Sequence, residues 1–233
     1  MSTLPHIYYI NLDSSKERRI YMEKMMDDYD LKYARVSAVN GKYIDGLNFT
    51  KCSKLEIACT LSHLLAIKKA YDDRRDIAFI VEDDLVIDYF MNHIYEFKKI
   101  INEAPKDYEI IQLMNSNELF VKICTEIYKK NINFIKWQQY SWGTVIYMIN
   151  RKGMKNIIDK NFNGSTIIIP VDKNYKYTAD YHIYKTCKTY SITRIFFTTL
   201  CNNSTIHPRH IKYLHIPAGK EILKNQQLPF QKI

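Results

Sequence analysis

The apolar positions fall into short β-rich runs separated by stretches of helical period. His6-Ile7-Tyr8-Tyr9-Ile10-Asn11-Leu12-Asp13 reads as a strand that stops at polar residues, and Ser14-x-x-Glu17 supplies a capping box for a helix behind it. On that helix Met22, Met25, Met26 and Tyr29 share one face, and the helical period puts Arg18 on the same face in the first turn. A cation there opposes the macrodipole and faces the core side, so it needs either an acidic side chain or an anionic ligand as partner. A strand over 33–39, a turn at Asn40-Gly41 and a helix over 55–71 come next. That helix carries two stripes: Ile57, Leu61, Leu64 and Leu65 on one side, and the smaller Cys59, Ser62, His63, Ala66 and Ala70 on the other. Two packable sides predict a sandwiched helix, which takes His63 away from bulk solvent, as a satisfied structural residue or as part of a site.

Residues 77–81, Ile-Ala-Phe-Ile-Val, are apolar without alternation, the pattern of a central parallel strand covered on both faces. Beyond it the pattern predicts a helix over 92–103, strands over 108–114, 134–138 and 144–149, and a helix over 152–160. Short strands over 167–170 and 192–197 follow, with a helix over 179–187 between them. Strands alternating with helices predict a single α/β domain.

Composition narrows the function classes. With 46% hydrophobic and 25% charged residues the chain is globular in type, and its 6 Gly form no dinucleotide-binding or P-loop motif. Five cysteines with scattered spacings do not read as a disulfide framework, and the start shows no apolar leader; both predict a cytoplasmic protein. The net charge of +9 is concentrated late: from Lys185 onward eight basic residues stand against the single acid Glu221. Residues 206–233 therefore read as a basic C-terminal tail after a main domain of residues 1–205. Such a tail is a solvated segment, a contact for a phosphate-rich substrate or peripheral membrane surface, or a nucleic-acid contact, and charge alone does not choose.

The most informative chemistry is Glu82-Asp83-Asp84, directly after the buried strand. In open α/β sheets ligands sit beyond the carboxyl ends of the strands, and crowded carboxylates repel one another unless a cation joins them. Hard oxygen ligands suit Mg²⁺ or Mn²⁺; an acidic loop capping the next segment is the plainer alternative. Cys187, Cys201, His207 and His210 are a much weaker candidate zinc set, because their spacing matches no compact pattern. Cys59 and His63, helical neighbours, are a similarly weak candidate for a thiol nucleophile.

Four segments in this order resemble glycosyltransferase family 25: Ile10-Asn11-Leu12-Asp13 with Arg18-Arg19; Ala58-Cys59-Thr60-Leu61-Ser62-His63; Phe79-Ile80-Val81-Glu82-Asp83-Asp84; and Gly143-Thr144 through Tyr147 to Lys152-Gly153. The resemblance implies a GT-A-like, Rossmann-type mixed sheet flanked by helices and inverting transfer of a sugar, often galactose. The donor would be a UDP-sugar, and the acceptor a hydroxyl on a glycan, lipooligosaccharide or collagen-like chain. It also implies Mn²⁺ or Mg²⁺ held by Asp83 and Asp84, a donor site containing Asn11, Arg18, Ser62, His63, Glu82 and Asp83, and Asp180 as the catalytic carboxylate. Nucleic acid is not an expected partner. A relative that keeps the fold but only binds glycan or nucleotide is the alternative.

Overall fold

Backbone hydrogen bonds build the molecule around one seven-stranded mixed sheet, in the order β2-β1-β3-β7-β5-β10-β6. The structure is a computed structural model that describes residues 4–44, 52–169, 174–200 and 216–226. The chain runs β1 (His6–Asn11), α1 (Lys16–Asp28), β2 (Tyr33–Ser37), a 3₁₀ turn at Gly41–Tyr43, α2 (Lys54–Asp72), β3 (Ile77–Glu82) and β4 (Leu85–Val86). Then come α3 (Asp88–Asn92), α4 (Ile94–Asn102), β5 (Ile110–Gln112), α5 (Glu118–Tyr128), β6 (Phe134–Lys136), β7 (Ile146–Asn150) and α6 (Arg151–Asn161). It finishes with β8 (Phe162–Asn163), β9 (Thr166–Ile167), α7 (Ala179–Thr186), β10 (Thr189–Ile192), β11 (Thr198–Thr199) and α8 (Ile216–Gln226). The predicted α/β fold class holds, as a mixed sheet with helices on both faces.

Period-two alternation divides the core between those faces. Ile7 and Tyr9 of β1, with Phe79 and Val81 of β3, pack with Met22, Met25 and Met26 of α1, Phe97 of α4 and Val121 of α5. Tyr8 and Ile10, with Ala78 and Ile80, pack with Leu64 and Ile67 of α2, Met154 and Ile157 of α6 and Ile183 of α7. Because β1, β2 and β3 are parallel, each needs a crossover helix, and α1 and α2 land on opposite faces. The chain places β2 on one side of β1 and β3 on the other, so strand order reverses at the β1–β3 boundary. This is where open α/β sheets leave a crevice.

Several expectations shift. α1 begins after Ser15 with no side-chain cap, so the Ser14–Glu17 box does not form. The turn there is closed instead by the Ser15 amide donating to the Leu12 carbonyl at 2.9 Å. A full capping box appears on α2, where Ser53 and Glu56 bond reciprocally to each other's backbone amides. β3 is parallel to β1 but antiparallel to β7. The strand expected over 192–197 lies earlier, at β10. Residues 193–197 are irregular, and they carry Phe196 and Phe197 into a cluster of rings with Phe90 and Phe97. α5 has no counterpart among the predicted elements. Within the basic C-terminal segment, α8 packs on α5 and β11 with Ala218 and Ile222 buried. No helix among the described residues is long and apolar enough to cross a membrane.

Candidate active site

Register brings the site together. In the parallel pairing of β1 with β3, Ile10 stands opposite Glu82, so the next residues, Asn11 and Asp83, leave the sheet side by side. Asn11 is buried, and its Nδ2 donates to Asp83 Oδ2 at 2.7 Å and to the Ser15 carbonyl at 3.1 Å. Its amide orientation is dictated from β2: Arg35, which can only donate, gives Nε to Asn11 Oδ1 at 3.0 Å and Nη2 to the Asn11 carbonyl at 3.0 Å. Arg35 also reaches Asp13, which takes a further bond from Ser37 Oγ at 2.9 Å. These contacts hold the Asp13 carboxyl below its ordinary range.

Arg18 extends from the first turn of α1 and donates Nη1 to Asp83 Oδ1 at 2.5 Å. Of the two partners the sequence allowed it, the acidic side chain is thus present, and it is Asp83. The same Arg18 lines an open cleft bounded by residues of β1, the 38–41 loop, α2 and the end of β3. Ser62, His63, Glu82 and Asp83 line it too, whereas Asn11 sits just behind Asp83.

On the α2 wall Ser62 is fully engaged, donating to the Ala58 carbonyl at 2.6 Å and accepting the Val39 amide at 2.9 Å. It ties the 38–41 loop to the helix. His63 is buried at 1% exposure; its Nδ1 lies 3.3 Å from the Tyr147 hydroxyl and its Nε2 3.4 Å from Glu82 Oε1. The second of these is an ion-pair distance, but Nε2 makes no hydrogen bond among the described residues. Glu82 Oε1 is held from the other side by Thr144 Oγ1 at 2.7 Å. Cys59, one turn before His63, completes a group in which a sulfur, an imidazole nitrogen and a carboxylate oxygen all lie within 4.8 Å of one another. Burial, and after it the charges of Glu82, Asp180 and Glu56, push the Cys59 thiol well above its ordinary value. That opposes the thiolate a nucleophile needs.

Asp84 differs from its neighbours. It does not line the cleft, and its Oδ1 is shielded from solvent without a hydrogen-bond partner among the described residues. Burial first, then the charge of Glu82, raises its pKa to about 7 against the opposing pull of Arg18. Asp180, in the first turn of α7, does not line the cleft either; its Oδ1 accepts from Thr178 Oγ1 and from the Tyr181 amide, both at 2.7 Å. Its nearest link to the site is α2, onto which α7 packs and where its charge reaches Cys59. Of the weak zinc set only Cys187 is described, and it lies with its thiol 3.7 Å from the Gly153 carbonyl; Cys201, His207 and His210 lie outside the described residues.

The sequence reading missed the support behind Glu82. Gln112 of β5, buried, donates Nε2 to the Gly143 carbonyl at 3.1 Å, while its Oε1 accepts from Ser141 Oγ at 2.5 Å and Ser191 Oγ at 2.8 Å. Gly143 sits at φ +103°, where a Cβ would stand 2.5 Å from Ser116 Oγ, so glycine alone fits the approach that delivers Thr144 to Glu82. Only the sheet order, which the sequence does not display, brings these residues together.

The sequence pattern of glycosyltransferase family 25, described as an LPS biosynthesis family, matches residues 4–175. The chain belongs to glycosyltransferase family 25. Asn11, Arg18, Ser62, His63 and the Glu82–Asp84 triplet fall inside the matched residues, and Asp180 falls beyond them. Human procollagen galactosyltransferase 2 is 24% identical over 222 residues, which is 88% of this chain and 35% of that protein. A glycosyltransferase 25 family member of Drosophila pseudoobscura pseudoobscura is 26% identical over 205 residues, 79% of this chain and 31% of that protein. The chain thus spans about a third of the length of these family 25 relatives. A crystal structure of a glycosyltransferase involved in glycosylation of the major capsid of PBCV-1 superposes with a TM-score of 0.41 at 7% identity, covering 96% of this chain and 98% of that one.

Proposed function

We propose that this family 25 chain, on a GT-A-like fold, moves a sugar, with galactose the first candidate, from a UDP-sugar bound in the cleft to a hydroxyl on a glycan, lipooligosaccharide or collagen-like acceptor. The transfer inverts the anomeric centre and depends on Mn²⁺ or Mg²⁺. The observation that carries this reading is the charge at the end of β3. Three successive carboxylates leave the end of β3, Arg18 pairs with the middle one, Asp83, and among the described residues Asp84 keeps a buried oxygen without a hydrogen-bond donor. A buried carboxylate in that condition calls for a cation. An all-oxygen donor set fits a hard divalent ion, and Asp84 would hold it with Asp83, whose two oxygens have lone pairs beyond those bonded to Asn11 and Arg18. When bound, such an ion offsets the charge that builds on the departing diphosphate.

The chain's own residues supply the rest. Arg18 meets an entering diphosphate already oriented by Asp83, so little is lost in ordering its side chain. Asn11, fixed by Arg35, holds Asp83 in place, and Ser62 and His63 form the floor on which the donor rests. Asp180 takes the acceptor's proton, with Thr178 and the Tyr181 amide anchoring its carboxylate.

Thermal unfolding with UDP, with and without Mn²⁺, tests the donor site. UDP should stabilise the wild type only when Mn²⁺ is present, and Asp84→Asn should lose that effect; stabilisation by UDP that ignores both metal and mutation refutes the assignment. Transfer by Asp180→Asn should fall by about 10² to 10⁴ with donor affinity intact, and near-normal turnover would remove Asp180 from the chemistry. Metal-dependent UDP binding without transfer to any acceptor would identify a binding protein on the same fold.

A further inference from the structure

Glycosyl transfer as proposed uses His63 and Glu82 at the donor site but gives Cys59 no role, although the three side chains meet on the floor of the cleft. Their sulfur, nitrogen and oxygen ligand atoms lie within 4.8 Å of one another, drawn from one face of α2, at positions one turn apart, and from the end of β3. The second observation concerns His63 alone. Its ring is 1% exposed, and among the described residues its Nε2 has no hydrogen-bond partner although Glu82 Oε1 is 3.4 Å away. Nitrogen and oxygen ligands bound tetrahedrally at about 2.0 to 2.1 Å stand about 3.3 Å apart, so this gap has the width of a shared metal ion.

We propose that Cys59, His63 and Glu82 form a site for a soft divalent cation of the Zn²⁺ class, with its fourth position open to the cleft. The ligand types separate this site from the carboxylates around Asp84: thiolate and imidazole select Zn²⁺, whereas an all-oxygen set selects Mg²⁺ or Mn²⁺. Neighbouring residues orient both donors. With the ring proton on Nδ1, 3.3 Å from the Tyr147 hydroxyl oxygen, the Nε2 lone pair is left for the metal, while Thr144 fixes the Glu82 carboxylate. Burial and the acids around Cys59 disfavour a bare thiolate, yet the same charges favour a dication arriving with it. Binding therefore exchanges the thiol proton for the metal: the S–H bond breaks, an S–Zn bond forms, and the proton leaves to solvent.

The test uses the full chain freed of metal, titrated with Zn²⁺ against a chromophoric chelator and with Co²⁺ as a spectroscopic probe. One Zn²⁺ should bind per chain, and Co²⁺ should show a thiolate-to-metal charge-transfer band together with the intense visible absorption of a tetrahedral ion. Cys59→Ser and, independently, Cys59→Ala should abolish the charge-transfer band while the protein keeps its circular dichroism. Tyr147→Phe, which removes only the orienting hydroxyl, should weaken Zn²⁺ binding by about 10- to 100-fold with the band retained. The proposal is overturned if no Zn²⁺ binds, or if binding and the band survive both Cys59 substitutions, which would place any metal on other cysteines. Metal alone is the probe, so either result leaves the Mn²⁺-dependent UDP experiment to be judged separately.

Discussion

On the β1–α1 side of the cleft Asn11 and Asp83 have a partner for each polar side-chain atom, whereas on the α2 side His63 Nε2 faces Glu82 Oε1 across 3.4 Å without a bond. Both walls are largely buried, and both carry charge. The first wall resembles an interior network that folding completes by itself: Arg35 orients Asn11, Asn11 and Arg18 hold Asp83, and Asp83 in turn aims Arg18 into the cleft. On the second wall Ser62 and Glu82 are bonded, but among the described residues His63 Nε2 is brought close to an acceptor without closing a bond, which costs stability unless something else supplies the missing partner. Among the described residues Asp84 Oδ1 shows the same deficit, one residue beyond Asp83, both of whose oxygens are hydrogen-bonded. A missing partner thus marks residues that wait for a ligand, while Asp83, paired on both oxygens yet with lone pairs to spare, both sets geometry and can take part in binding.

The sharpest way to break this contrast is Asp83→Ala. Removing the carboxylate takes from Arg18 and from the Asn11 amide the partner they share, and urea unfolding should show a loss of about 3 kcal/mol. A loss under about 1 kcal/mol would mean that the first wall is not held as its hydrogen bonds indicate. On the second wall Thr144→Val keeps the shape and removes the hydroxyl that holds Glu82 Oε1. A smaller cost follows, about 1 kcal/mol in the same measurement, because one neutral hydrogen bond is lost and partly exposed Glu82 can turn to water. If Thr144→Val costs more than Asp83→Ala, the two walls have been ranked in the wrong order.

How legible this was depended on range. β1, β3 and α2 were readable because their patterns are local: apolar runs ending in polar residues, and two stripes at helical spacing. Arg18 announced its need for a negative partner by its position alone, although only the register of β1 against β3 shows that Asp83 meets it. Arg35 gave no signal, since an arginine on a strand reads as ordinary surface until β2 is seen pairing beside Asn11. Cys59 and His63 were visibly neighbours, yet Glu82 joins them only through the fold. α5 carries a stripe of Phe120, Val121 and Cys124, an Asn117 N-cap that accepts the Leu119 amide and a left-handed Asn131 beyond its end, local signals that were legible in the sequence. The strand misplaced over 192–197 has a different cause: Phe196 and Phe197 are apolar for the sake of ring packing, not sheet pairing.

Among the described residues the sheet stops at β2 on one side and β6 on the other, and each outer strand presents backbone amides and carbonyls with no further strand to receive them. Such edges invite another chain to add a strand, the first step of aggregation. Here they are short, five residues in β2 and three in β6, and each carries a cation, Arg35 on one and the exposed Lys136 on the other. An approaching strand would gain few hydrogen bonds and would have to desolvate a charge to make them. The arginine that orients Asn11 from β2 thus also guards that margin of the sheet against self-association.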